Sequence, residues 1–310
     1  MKKIFNSMIT LGVLIAFVLT SCGVPPQNED NTLTVLASVS FLADIARNVA
    51  GDRVQVDSLL PVSADPHAYE ATPSDIVRIS KSTVLILNGL EYEHFVESLL
   101  ENAGGERLII TASDGLEPHP IDEKEAEAEE EHGHEAGDPH MWLDPLLVIT
   151  YVENIRDGLR TADPGGAETY KTNAEAYIAE LEALDAYIRE QVEGIPAERR
   201  LLVTNHEALG YFAERYGFEV VDAILPSSSS DASASARDIA ATIEAIKSSG
   251  APAIFLDEVE NAGLANQIST ETGVKVVEGL HLESLTDGAP AGTYIDMMKY
   301  NVSLLVQALQ

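Results

Sequence analysis

Cysteine is almost missing from this chain of 310 residues: Cys22 is the only one. No internal disulfide can form, and any metal site must be built from nitrogen and oxygen donors. Basic residues are scarce as well, 19 Lys and Arg against 51 Asp and Glu, for a formal net charge of −32. A field of that sign repels nucleic acid and anionic lipid surfaces and draws cations in. The best apolar run, Ile9 to Leu19, is shorter than the roughly 20 residues of a membrane span. The HExxH pattern of zinc hydrolases is also absent. What the chain does have is 45% hydrophobic residues in well-defined runs, which excludes disorder of the whole.

The N-terminus reads as a processing segment. Met1-Lys2-Lys3 is a short basic start, the apolar run follows, and Leu19-Thr20-Ser21 places small residues just before Cys22. This resembles a bacterial lipoprotein signal, which implies cleavage before Cys22 and diacylglycerol on its thiol. Cleavage removes two of the 19 basic residues and none of the 51 acids, so the charge moves from −32 to −34.

Beyond that point strands and helices alternate. Strands are expected at Leu33–Ala37, Arg53–Leu60, Thr83–Leu87 and Arg107–Ile110, with helices at Phe41–Val49, Pro73–Lys81 and His94–Glu101 between them. Thr72-Pro73-Ser74-Asp75 carries a helix start, with a capping hydroxyl and then Pro at the first helical position. Residues 122–138 hold nine acids, one Lys and two His with no apolar side chain larger than Ala, the composition of a mobile surface loop. A helix is expected from Pro145 to Arg160, and a long one from Pro164 to about Val192 with a stripe of Ala174, Ile178, Leu181, Leu184, Tyr187 and Ile188. Strands then return at Leu201–Thr204, Glu219–Ala223, Ala253–Leu256 and Val274–Val277, with helices at Ala208–Tyr216, Ala236–Ser249, Asn261–Thr272 and Thr293–Leu309. The fold class is α/β: two Rossmann-like lobes joined by one long helix. The expected divisions are a signal peptide 1–21, an N-terminal lobe 22–163, a connecting helix 164–194 and a C-terminal lobe 195–310.

The tripeptide Asp-Pro-His occurs twice, at Asp65-Pro66-His67 and Asp138-Pro139-His140. Proline fixes its own φ and restricts the residue before it, so the following His leaves a stiffened loop in a defined direction. Imidazole is the commonest metal-binding side chain. His206 follows the Leu201 strand directly, and His281 and Glu283 follow the Val274 strand, the strand ends where open α/β sheets bind ligands. Three imidazoles and one carboxylate make a closed tetrahedral shell that suits zinc, whereas Mn(II) favours more oxygen donors. His132 and His134 in the acidic loop are candidates for loop capture of metal. His94 and His119 have no such context and read as facing solvent. Asp138, Asp144 and Glu70 are candidates for orienting the ligand rings.

At these residues the chain resembles the metal-binding subunits of bacterial zinc and manganese ABC importers, the cluster A-I solute-binding lipoproteins. The resemblance rests on Asp65–Asp75, Asp138–Pro145, Thr204–Tyr211 and Thr293–Asn301, and covers about Leu33 to Leu309. It implies metal held in a cleft between two lobes by His67, His140, His206 and, in the last loop, Glu283. The family usually has Asp at that last position, so the longer Glu283 arm leaves denticity, and substitution by His281, open. At the third position His is typical of zinc binders and Glu of manganese binders, and the acidic loop resembles a short form of an insert in zinc members. The implied function is that of an extracytoplasmic receptor, not an enzyme, that delivers Zn(II) to a membrane permease. Mn(II) or iron is the alternative cargo. The lipid on Cys22 would tether it to the membrane, and a monomer with no nucleic-acid partner is expected. Two further readings stay open: a zinc-dependent hydrolase, which needs an open coordination position for water, and an adhesin-like surface lipoprotein for cell adhesion with a structural metal.

Overall fold

The computed structural model describes residues 33–120, 137–225, 227, 229–230, 233–257 and 262–310. Cys22, His132 and His134 lie outside the described residues. The first lobe carries four parallel strands, β1 (Val35–Ala37), β2 (Val56–Ser58), β3 (Val84–Leu87) and β4 (Leu108–Thr111), in the order β2-β1-β3-β4. The second repeats that order as β6-β5-β7-β8, with β5 (Leu201–Thr204), β6 (Glu219–Ala223), β7 (Ala253–Asp257) and β8 (Lys275–Leu280). Every pairing is parallel, so each strand returns through a crossover, and the crossover helices cover the sheets.

The described helices are α1 (Ser40–Ala50), α2 (Pro73–Lys81), α3 (His94–Ala103), α4 (Val148–Ala162), α5 (Ala167–Glu193), α6 (Gly210–Tyr216), α7 (Ala236–Ser249), α8 (Gly263–Thr272) and α9 (Tyr294–Leu309). The start of α2 is a capping box between Thr72 and Asp75 with Pro73 at the first position. The second strand is shorter than its alternation predicts. Gly51–Arg53 instead form a 3-10 turn, with the Arg53 guanidinium paired to Asp163 at 2.5 Å. α4 likewise begins three residues later than expected, because Met141–Leu143 form a 3-10 turn and the Asp144 carboxylate accepts the Leu146 N–H at 2.9 Å.

The connector α5 is a continuous helix of 27 residues, about 40 Å at 1.5 Å per residue. A 3-10 turn over Pro164–Gly166 leads into it. Its buried stripe is Tyr170, Ala174, Tyr177, Leu181, Leu184, Ile188 and Val192. Tyr177 takes the central place that periodicity gave to Ile178, and Ile178 and Tyr187 are only half-buried. The stripe packs on α1 and α4 from the first lobe and on the final helix α9.

The core does not divide with the sheets. One apolar cluster runs from Val35 and Phe41 through Trp142, Tyr177 and Leu181 to Leu202, Phe255, Met298 and Leu305. Alternation along the second sheet turns Leu202 and Phe255 toward this cluster and Leu201, Val203, Ile254 and Leu256 toward a smaller one beneath α7 and α8. Hydrogen bonds reinforce the junction: Trp142 Nε1 donates to the Leu282 carbonyl at 2.8 Å, and the Tyr294 hydroxyl to the Trp142 carbonyl at 2.6 Å. A continuous core predicts one cooperative unfolding transition for both lobes. Denaturant curves followed by Trp142 fluorescence and by far-UV circular dichroism are expected to coincide. Leu181→Ala, at a fully buried position, is expected to lower stability by about 2–5 kcal/mol without splitting the transition.

Candidate metal centre

Four loops meet where the lobes face one another, and each delivers one side chain. His67 comes from the loop after β2, His206 from the end of β5, and Glu283 from the turn after β8. These are carboxyl ends of parallel strands, where successive loops converge. His140 comes from the segment leading into the 3-10 turn at Met141.

The two Asp-Pro-His tripeptides fold the same way. Asp65 Oδ1 accepts the backbone N–H of His67 at 2.9 Å, and Asp138 Oδ1 accepts that of His140 at 2.9 Å. Each aspartate therefore closes a side-chain turn two residues on, with proline stiffening the link between. The second copy goes further: the His140 ring donates from Nδ1 to Asp138 Oδ1 at 2.8 Å, which fixes the tautomer and leaves Nε2 facing inward. Asp65 is tied instead to the opposite lobe, its Oδ2 accepting from Ser230 Oγ at 2.7 Å. Glu283 is secured on both sides. Asp257, at a register shift between β7 and β8, accepts the N–H of Leu282. Ser284 Oγ lies 3.1 Å from Ser40 Oγ and accepts the Ser63 N–H at 2.8 Å.

The result is a compact, buried cluster. Donor atoms of His67, His140, His206 and Glu283 all lie within 4.8 Å of one another. Ring centroids are 5.8 Å apart for His67–His140, 5.7 Å for His67–His206 and 5.4 Å for His140–His206. Glu283 Oε1 is 3.1 Å from His140 Nε2 and 3.2 Å from His206 Nε2, and Oε2 is 3.8 Å from His67 Nε2. Four donors about 2.0–2.1 Å from a central zinc-like ion in a tetrahedron would stand about 3.3–3.4 Å apart. These side chains are at most 3% exposed, and both ring nitrogens of His67 and Nε2 of His140 are buried without a hydrogen-bond partner. Ring nitrogens buried without a partner beside a buried carboxylate fit a cation site.

Electrostatics agree with a site built to be filled. Burial drives the pKa of His67 down to about 3, so it stays neutral. Burial works against charge on His140 too, but Glu283 and Asp138 outweigh it and raise its pKa to about 9. Burial likewise resists charge on Glu283, and His140 above all, with His206, overcomes it and holds that carboxyl well below its usual range. Glu283 thus favours its charged form and His140 its protonated one, each through the other.

Several sequence expectations need correction. Glu70, expected to orient a ring, is exposed; Asp65 holds the His67 loop instead. Asp144 accepts from Arg215 at 2.7 Å and braces the lobes rather than a ligand. Asp138 does reach a ring. His281 turns away from the cluster toward Tyr300, at 5.4 Å between centroids, with its backbone held by Asn301. His94 is exposed, but His119 is not free in solvent: it stacks on Tyr211 at 3.9 Å and pairs with Glu214 at 2.7 Å. The residue that sequence reading missed is Tyr92, whose hydroxyl donates to Glu283 Oε2 at 2.6 Å. Burial and the Glu283 charge push its pKa well above the usual phenol value. No local signal marks a tyrosine that meets its partner 191 positions away.

The family described as "Zinc-uptake complex component A periplasmic" matches residues 35–308. The chain belongs to this family. The manganese-binding lipoprotein MntA of Halalkalibacterium halodurans is 34% identical over 313 residues, covering 100% of this chain and 99% of its own length. The iron-binding protein YfeA of Yersinia pestis is 32% identical over 312 residues, covering 98% of this chain and 96% of its own. The solved periplasmic zinc-binding protein TroA of Treponema pallidum superposes with a TM-score of 0.81 at 29% identity, covering 90% of this chain and 99% of that one. Members of the family are transport receptors and not enzymes, and this chain is an extracytoplasmic metal-binding receptor of an ABC-type importer. Family membership implies pairing with a membrane permease and binding of a divalent transition metal at the site of three histidines and one glutamate.

Because His140 titrates at about 9 in the free site, an entering ion displaces a proton. The raised pKa keeps that proton bound at neutral pH, so metal affinity rises with pH until about 9 and falls as pH drops. Calorimetric titrations near neutral pH, in buffers of different ionisation enthalpy, are expected to report release of about one proton per ion. Asp138→Asn, which withdraws one of the charges favouring the protonated ring, should reduce that release.

Proposed function

We propose that the receptor captures Mn(II) outside the cytoplasm and hands it to its permease, held at the membrane by a lipid on Cys22 and working as a monomer. His67, His140, His206 and Glu283 are the ligands in this reading. The single observation that carries the metal function is the convergence of four buried donors from four loops on one point. Support for manganese comes from the relative of similar length that binds it. The donor set alone does not choose the cargo, since a nitrogen-rich site binds zinc more tightly than manganese whatever it carries in the cell. Selection then rests on ion availability as well as affinity.

Zinc is the second reading, and His206 is the observation that favours it. A third imidazole gives the nitrogen-rich four-donor set that zinc accepts. Hydrolysis has less support, because four protein donors already fill a tetrahedral shell and leave no position for water. A structural metal, as in an adhesin-like protein, requires the fold to depend on the ion, and loss of structure on stripping it would select that reading.

Metal analysis of protein isolated from its native envelope is expected to find manganese; zinc in its place would select the second reading. His206→Glu is expected to move the Mn(II)-to-Zn(II) affinity ratio toward manganese by about tenfold, as an oxygen donor replaces a nitrogen. Stripping the ion should lower the melting temperature only by the mass-action amount and leave the circular dichroism unchanged.

A further inference from the structure

The two oxygens of Glu283 are differently engaged. Oε1 faces the imidazoles of His140 and His206 at 3.1 and 3.2 Å, while Oε2 accepts the Tyr92 hydroxyl at 2.6 Å. A bond of that length to an ionised oxygen is a short, charge-assisted one, and a carboxylate can only accept, so the phenol is the donor.

Tyr92 does not reach this place by a relaxed path. Gly89, Leu90 and Glu91 have φ of 95°, 55° and 58°, and two of the three carry side chains that disfavour this left-handed region. The turn is held by the neighbouring Glu93, whose carboxylate accepts from the Asn88 N–H at 2.6 Å, the Gly89 N–H at 3.3 Å and Ser38 Oγ at 2.6 Å. The phenol ring is also walled in, 4.8 Å from the Trp142 ring and 5.3 Å from that of His67. Backbone strain that the surroundings over-determine fixes where the hydroxyl stands.

We propose that Tyr92 is a specificity-determining positioning residue: by holding Oε2 it restricts Glu283 to one oxygen on the ion and keeps the shell at four protein donors. This rests on the metal reading of the site and not on which ion is the cargo. Coordination number separates the ions that the site meets. Zinc is content with four donors, whereas Mn(II) gains from a further oxygen. Holding one carboxylate oxygen back therefore weakens manganese more than zinc, and leaves manganese easier to hand on.

The test compares wild type with Tyr92→Phe, which removes the hydroxyl and keeps the ring. Competition titrations of Mn(II) and Zn(II) against a chelator are expected to show the Mn(II)-to-Zn(II) affinity ratio rising about tenfold. The Co(II)-loaded protein should change from the intense visible bands of a four-coordinate ion to the weak bands of a higher coordination number. Equal weakening of both ions with an unchanged Co(II) spectrum would overturn the proposal and leave Tyr92 as packing. Glu283→Asp gives an independent route, because the shorter arm withdraws from the phenol while Tyr92 stays; it must move the ratio in the same direction, and a shift toward zinc counts against the proposal. Wild-type protein that binds no Co(II), or binds it as well after His140→Ala, would instead sink the metal reading.

Discussion

An ionised carboxylate at 1% exposure is the constraint around which this molecule is arranged. Burying a charge is costly unless partners meet it. Glu283 meets three imidazoles and a phenol, drawn from segments spread over the chain from residue 67 to residue 206. The four ligand loops each carry their own fastening: an aspartate turn behind His67, another behind His140, the Thr204 hydroxyl on the His206 carbonyl at 2.7 Å, and Asp257 behind Leu282. In the absence of an ion, the charge balance falls on the proton at His140. With an ion present, that proton is surplus.

The architecture serves this meeting point. Two sheets of the same strand order bring their carboxyl ends face to face, and α5 ties the lobes along its length. One core passes through the junction, and polar braces flank it, such as Arg215 on Asp144 and Tyr211 on the Asp138 carbonyl at 2.8 Å. Rigid separation of the lobes would expose that apolar interior, so small movements of the ligand loops cost far less than a wide hinge.

Much of this was legible because it is local. Alternation of strand and helix, the capping box at Thr72 and the long stripe of α5 are encoded within a few turns of chain. His67 and His140 stood out through a stiff tripeptide, although the aspartate, and not only the proline, fixes the direction. Where the reading failed, the cause was a contact between distant segments. Glu70 and Asp144 are near the ligands in sequence, yet one faces water and the other answers an arginine from the opposite lobe. His281 and Glu283 would share a side if the strand continued, but β8 stops at Leu280 and the chain turns. Tyr92 belongs to a strained loop whose purpose emerges only once Glu283 is set against it. The donor types favour zinc but do not fix the cargo, because affinity favours zinc in every nitrogen-rich site.

The backbone of Asp138 donates to the His119 carbonyl at 3.0 Å, and the N–H of His119 donates to the Tyr211 hydroxyl at 2.8 Å. The two ends of the stretch between positions 119 and 138 are therefore clasped together. Since the entropy of closing a loop grows only slowly with its length, evolution is free to lengthen, shorten or recharge that stretch while the mount of His140, just past the clasp, stays where it is.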